Sequence, residues 1–412
     1  MSSDTLPAVL GTATGQDAPP STSRDPWLTA RLVALIAYVL SRGFVVAGAA
    51  AVVTERAIAD RPEDFDPLHP PALVGNAGKG ILEVLLDWDS AWYLRIVRMG
   101  YPRLVPPDVT YGNLEARAAF FPIYPFSVRT LARLLPGGDV WVAIGLNVVL
   151  GAAFVYVVGL LARRIWDVEV AQRAMVLTAM FPGSFVLLYA YSEAVMLFAM
   201  ALCLWWLHER KWLAAGVAAA VVTAARPNGV AAAVACGVAA LFAIKERREW
   251  KALVAPIVAP IGWLVFQVGL SRHANESGVW FRVQREAWGE GVSFGVTAIS
   301  RTWTAISDPL GSPGSMFTLG SLVAMVVMIY GSWKVKIPPA WTAYSATVLL
   351  LMLLPSTVTA RPRFLYTAFP LLIGFAAWWP KKYRESWGFV MAICGAGLVA
   401  VTAVYAARGA IP

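Results

Sequence analysis

The 412-residue chain is 58% hydrophobic and only 14% charged, with 18 tryptophans, and many of its apolar runs can cross a hydrocarbon core of roughly 30 Å. That excludes an ordinary soluble protein of two or three domains. The formal charge of +9 falls in short clusters between apolar runs rather than in a basic domain, which argues against nucleic acid as a partner and encodes orientation in a bilayer instead.

In chain order, residues 1–26 are rich in Ser, Thr, Pro and Gly and read as a disordered, uncleaved cytoplasmic tail. Apolar spans follow near 28–54, 139–162, 170–188, 193–208, 212–225, 228–244, 252–270, 316–333, 341–355, 363–379 and 387–407. The expected fold is therefore an all-α polytopic integral membrane protein of about eleven transmembrane helices, with residues 27–412 forming a single transmembrane domain. Arg163 and Arg164, "HERK" (208–211), "KERREWK" (245–251), "KVK" (334–336) and "KKYR" (381–384) each follow an even-numbered span. With the N-terminus inside, every one of these clusters is cytoplasmic. The same parity places 55–138 outside as a long first loop with amphipathic helices, and 271–315 outside as a second large loop. The turn near 189–193, "RPN" (226–228) and "STVTARPR" (356–363) fall on that side too. Cys203, Cys236 and Cys394 lie singly in apolar runs and read as small core hydrophobes; the scattered histidines suggest no metal site.

Two acids stand out in "LLDWDSAWYLRIVRMGYP" (85–102). On a continuous helix over 81–99, Glu83, Asp87, Ser90, Arg95 and Arg98 share one polar face. Asp89 lies opposite, among Leu82, Leu85, Tyr93 and Ile96. Asp87 then belongs to a solvated surface, whereas a carboxylate on an apolar face needs a cation, a hydrogen-bonding partner or a wet cavity. The alternative is a break near Ser90 that makes Asp89 a helix cap. Trp88, Trp92 and Tyr93 fit an interfacial aromatic belt as well as a site. Pro122 and Pro125 are expected to prevent a regular helix through "FFPIYP", with an amphipathic helix following over 126–135.

"WDSAWYLRIVRMGYP" followed by "FFPIYP" resembles the signature pair of the PIG-V-type mannosyltransferases. "FPGSFVLLYAYSEAVMLF" (181–198), "AARPNG" (224–229), "VQREAWG" (283–289) and "RPRFLYTAFPL" (361–371) match further family segments in order, spanning roughly residues 85–371. The resemblance implies a GT-C membrane glycosyltransferase with a polyprenyl-phosphate-linked sugar donor, usually mannose, and an active site on the non-cytoplasmic face. The family's first-loop acid falls on Asp89. The extended tryptophan- and tyrosine-rich motif of eukaryotic members is not evident near 280–295, so the acceptor, whether glycolipid, glycan or protein, stays open.

In that chemistry Asp89 is the general base. The candidate substrate-binding residues are Asp87, Trp88, Tyr93, Glu193, Arg226, Asn228, Gln284, Arg361 and Arg363, the arginines suiting a departing phosphate. "DWD" is a weak metal signal, and no cofactor is assigned; a divalent cation stays open. A lipid or small-molecule transporter is the rival class, but no internal repeat supports it. The Ala- and Arg-rich composition points to a bacterial plasma membrane, with membrane lipids as surroundings.

Overall fold

The computed structural model describes residues 25–59, 74–356 and 361–408. Most of the proposed N-terminal tail therefore lies outside the described residues. Helix α1 (Pro26–Ala59) is 34 residues long, about 50 Å at 1.5 Å per residue. Two short helices, α2 (Val74–Leu85) and α3 (Asp89–Met99), fill the start of the first long connection, and α4 (Ile123–Leu131) its end. The bundle continues with α5 (Gly138–Ile165), α6 (Val168–Met180), α7 (Glu193–His208), α8 (Trp212–Thr223) and α9 (Val230–Arg247). Next come α10 (Val254–Val258) and α11 (Ile261–His273), then two helices of the second long connection, α12 (Val279–Trp288) and α13 (Val296–Ser307). Helices α14 (Pro313–Val335), α15 (Pro339–Leu353), α16 (Pro362–Thr367), α17 (Pro370–Trp378) and α18 (Trp387–Ala406) complete it.

Helical segments, single or interrupted, cover each of the eleven expected spans, and the protein is an all-α, multi-pass membrane protein of the GT-C type. Among the described residues, six helical segments are by themselves long and apolar enough to cross a membrane, including Pro26–Ala57, Gly138–Ile165 and Trp387–Ala406. The others are short or broken, and the breaks are where the fold differs from a plain bundle. A 3-10 segment, Pro182–Leu187, ends the helix that α6 begins, and α16 and α17 divide at Ala368–Phe369.

Broken helices inside a bundle leave backbone groups that water cannot satisfy. Two buried side chains supply partners. Asn147 of α5 donates from Nδ2 to the carbonyls of Tyr189 (2.5 Å) and Tyr191 (2.7 Å). Arg42 of α1 donates to the carbonyl of Ser184 at 2.7 Å and to its hydroxyl at 2.9 Å. Gly183 faces the carbonyl of Pro362 so closely that a Cβ there would sit 2.2 Å from it. Only a residue without a side chain lets the 3-10 segment dock on α16.

Two sequence expectations need correction. The helix over 81–99 is not continuous: it stops at Leu85 and restarts at Asp89, and Ser90 is fully buried, donating to the carbonyl of Leu85. The aromatic-proline helix runs 123–131 rather than 126–135. Pro122 caps it and Pro125 sits in its first turn, where the missing N–H has no intrahelical acceptor to lose. The cysteines are buried and free, yet Cys203 and Cys236 are not isolated: their sulfurs lie 3.7 Å apart across α7 and α9.

Candidate active site

The site is assembled from helix starts. Asp89 opens α3, Glu193 opens α7 and Arg363 lies in the first turn of α16; Arg226 immediately precedes the 3-10 turn Pro227–Gly229. The chain enters α3 through Trp88, whose φ of 57° is in the left-handed region. Strain of that kind costs on the order of 1–3 kcal/mol and needs external support. The support is α18: Trp88 stacks on Tyr405 at a ring separation of 5.3 Å and donates from Nε1 to the Tyr405 carbonyl at 3.2 Å.

That twist sends the two acids of "DWD" different ways. Asp87 meets Arg408, just beyond α18, through two guanidinium nitrogens at 2.8–3.1 Å. Asp89 turns inward and accepts from Arg363 Nη2. Arg363 Nε also donates to Glu193 Oε1 at 2.6 Å, and Arg226 Nη1 lies 2.8 Å from Glu193 Oε2. The last contact is an ion pair without hydrogen-bond alignment, so that oxygen keeps an unused acceptor position. The result is a linear chain of alternating charge, Asp89–Arg363–Glu193–Arg226, neutral overall.

Exposure differs sharply along it. Side-chain exposure is 1% for Glu193, 4% for Arg363, 14% for Arg226 and 23% for Asp89. Of the two carboxylates, only Asp89 is open to an incoming hydroxyl. Burial opposes its ionisation, but Arg363 and Arg226 outweigh burial and hold its carboxyl below the usual carboxylate range. Asp89 is thus charged at neutral pH and able to accept a proton.

Around the chain, the hydroxyl of Tyr93 is 2.7 Å from that of Ser192, and the Arg363 guanidinium lies over the Tyr191 ring at 4.6 Å. The Tyr191 hydroxyl in turn contacts that of Tyr405. Arg361 sits beside the chain but outside it. Among the described residues no carboxylate pairs with it, and its charged neighbours are Arg301 of α13 and Arg363. Burial, with those two cations, pushes its guanidinium down to about 10. A half-buried cation among cations is a position that an anion would relieve.

Of the residues singled out in sequence, the structure brings together Asp89, Tyr93, Glu193, Arg226 and Arg363, with Arg361 alongside. Asn228 lies two residues past Arg226, its buried Oδ1 without a partner. Asp87 and Trp88 are engaged by α18. Gln284 belongs to another cluster, its amide 3.4 Å from the carbonyl of Ala119, where Trp92 and Phe120 pack with Trp288. Sequence reading missed Tyr191, Ser192, Tyr405, Arg408 and Arg301. Tyr405 and Arg408 had one available signal, a tyrosine and an arginine at the end of an otherwise apolar helix. Among the described residues, no three His, Cys, Asp or Glu side chains converge as metal ligands.

The family model described as mannosyltransferase (PIG-V) matches residues 30–253, just over half of the chain, including Asp89, Glu193 and Arg226 but ending before Arg361 and Arg363. No curated protein matches the chain.

Proposed function

The chain belongs to the PIG-V mannosyltransferase family, and from that premise we propose that it transfers mannose from a polyprenyl-phosphate donor to an acceptor hydroxyl. The carrying observation is the one open carboxylate, Asp89, fixed by a guanidinium beside an unpaired cation. Asp89 takes the proton of the acceptor hydroxyl as its oxygen attacks the anomeric carbon, and the bond to the phosphate oxygen breaks as the new glycosidic bond forms. Arg363 positions Asp89. Arg361, with Arg301 nearby, receives the charge that develops on the departing lipid phosphate, and Arg226 stands second to it, at the far end of the ion-pair chain.

The geometry alters the emphasis taken from sequence. Arg363 is already engaged by two carboxylates, so Arg361 is the first phosphate ligand. A phosphate arriving there competes for Arg363 as well, which loosens its hold on Asp89 and makes the carboxylate a stronger base.

The remaining parts of the proposal rest on the charge pattern of the loops. The N-terminus is cytoplasmic, the site extracytoplasmic and the membrane a bacterial plasma membrane; residues 1–26 form a tail and 27–412 one transmembrane domain. In support, segments assigned outside by parity (85–89, 189–193, 226–228 and 361–363) are the ones that meet at Asp89.

The test is transfer from radiolabelled polyprenyl-phosphate mannose in liposomes holding the purified protein and a lipid extract of its host. Label moving into a new product with wild type, and not with Asp89→Asn, supports the reading and identifies the acceptor pool. Movement of the labelled donor across the bilayer without a product would indicate transport instead.

A further inference from the structure

A seam between α1, α6 and α18, at the end of the bundle opposite Asp89, holds two cavities in line. α6 starts at this end, whereas the chain following α6 leads to Ser192 and Glu193. One cavity, about 750 Å³, is bordered by Asp167, Glu169, Arg173 and Arg384; the other, about 330 Å³, is apolar. Neither is enclosed.

Their linings adjoin along α18 and α6. On α18 they are lined by Gly388, Met391, Ala392, Gly395, Ala396 and Val399, positions that fall on one helical face without a gap. On α6 the first cavity ends at Val176 and the second begins at Met180, one turn on. From Trp387 to Val399 the groove runs about 18 Å along the axis. Half of a hydrocarbon core of roughly 30 Å is about the same depth.

Its polarity is graded in the same direction. Charge of both signs is confined to the mouth, and only apolar side chains line the deep half. Asp167 is used in capping α6 at Val170 N, and Arg173 is tied to Glu169 and to the carbonyl of Trp379. Arg384 is loosely held, 78% exposed and 3.9 Å from Glu169. An exposed cation beside an acid, above an apolar channel one leaflet deep, complements a zwitterionic headgroup with an acyl chain.

We propose that this groove binds one phospholipid carrying an ammonium headgroup, its phosphate on Arg384, its ammonium on Glu169 and one acyl chain along the α18 face. The site is separate from the Asp89 centre and does not depend on the transferase reading.

Native mass spectrometry of the full-length, delipidated protein tests it, with added phosphatidylethanolamine or phosphatidylglycerol. One retained phosphatidylethanolamine is expected, favoured over phosphatidylglycerol about fivefold or more. Ala392→Phe, which fills the channel, should lower retention about tenfold. Glu169→Gln, at the partly exposed mouth, should abolish the headgroup preference while the protein stays folded, which separates loss of the site from misfolding. Equal retention of both lipids by wild type, or unchanged retention by a folded Ala392→Phe protein, overturns the proposal. Binding seen only after deletion of residues 1–24 would make that tail the occupant, and a lipid-free dimer would make it a second copy; either result also overturns it.

Discussion

Arg363 and Arg282 are two of the arginines that each contact a pair of carboxylates. Arg363 bridges Asp89 and Glu193; Arg282 of α12 bridges Glu276 and Glu286, at 2.6 and 2.8 Å. Chemically they match, but their surroundings do not. Arg282 and its partners are 21–33% exposed, and the same guanidinium also donates to the carbonyls of Val105 and Pro106. It ties the two long connections together, in a setting that water and salt weaken. Arg363 and Glu193 are almost wholly buried, at the starts of interrupted helices. There each charge depends on its neighbour, and the most accessible member is Asp89. An arginine–carboxylate pair is thus a fastening at the surface and a positioning device in the interior.

Substitutions sharpen this contrast, beginning with the largest effect. Arg363→Met should strand Asp89 and leave Glu193 with Arg226 alone, costing about 3–5 kcal/mol of stability and nearly all transfer, read as a lower Tm in detergent and in the transfer assay. Arg282→Met should cost about 1–2 kcal/mol and leave transfer within severalfold. Equal losses from the two would erase the distinction. Next is Arg361→Gln, expected to lower transfer about 10- to 100-fold with a higher KM for the donor and an unchanged Tm. A KM change confined to the acceptor would remove Arg361 from the phosphate site.

The pH dependence is a subtler probe. The Asp89 carboxyl is held low by Arg363 and Arg226, so the wild-type acid limb should lie below the ordinary carboxylate range. Arg226→Gln removes one of those charges and should move the limb upward. The sign for stability is the same: a depressed carboxyl contributes above its unfolded pKa, and the contribution fades as pH falls through the folded one. A limb that stays in place in Arg226→Gln would show that another group titrates.

Much of this was legible in sequence. The apolar stretches are local signals, and helices form over them in the expected order. Asp89 stood out for a sound reason, a carboxylate in apolar company, although the supposed continuous helix was wrong. Nothing between Leu85 and Asp89 breaks a helix by itself; neither Gly nor Pro occurs there. The break is secured by Tyr405, 317 residues away, through the stack and hydrogen bond that hold Trp88. The roles of Tyr405, Arg408 and Arg301 likewise depend on packing between distant helices. That Arg363 already holds two carboxylates, while Arg361 pairs with none among the described residues, shows only in three dimensions.

The most direct test of the central claim sets the two acids of "DWD" side by side. Single-turnover transfer in proteoliposomes should fall about 10²- to 10⁴-fold in Asp89→Asn and remain within about threefold of wild type in Asp87→Asn. Comparable losses in the two folded variants, or transfer retained by Asp89→Asn, would contradict Asp89 as the catalytic base.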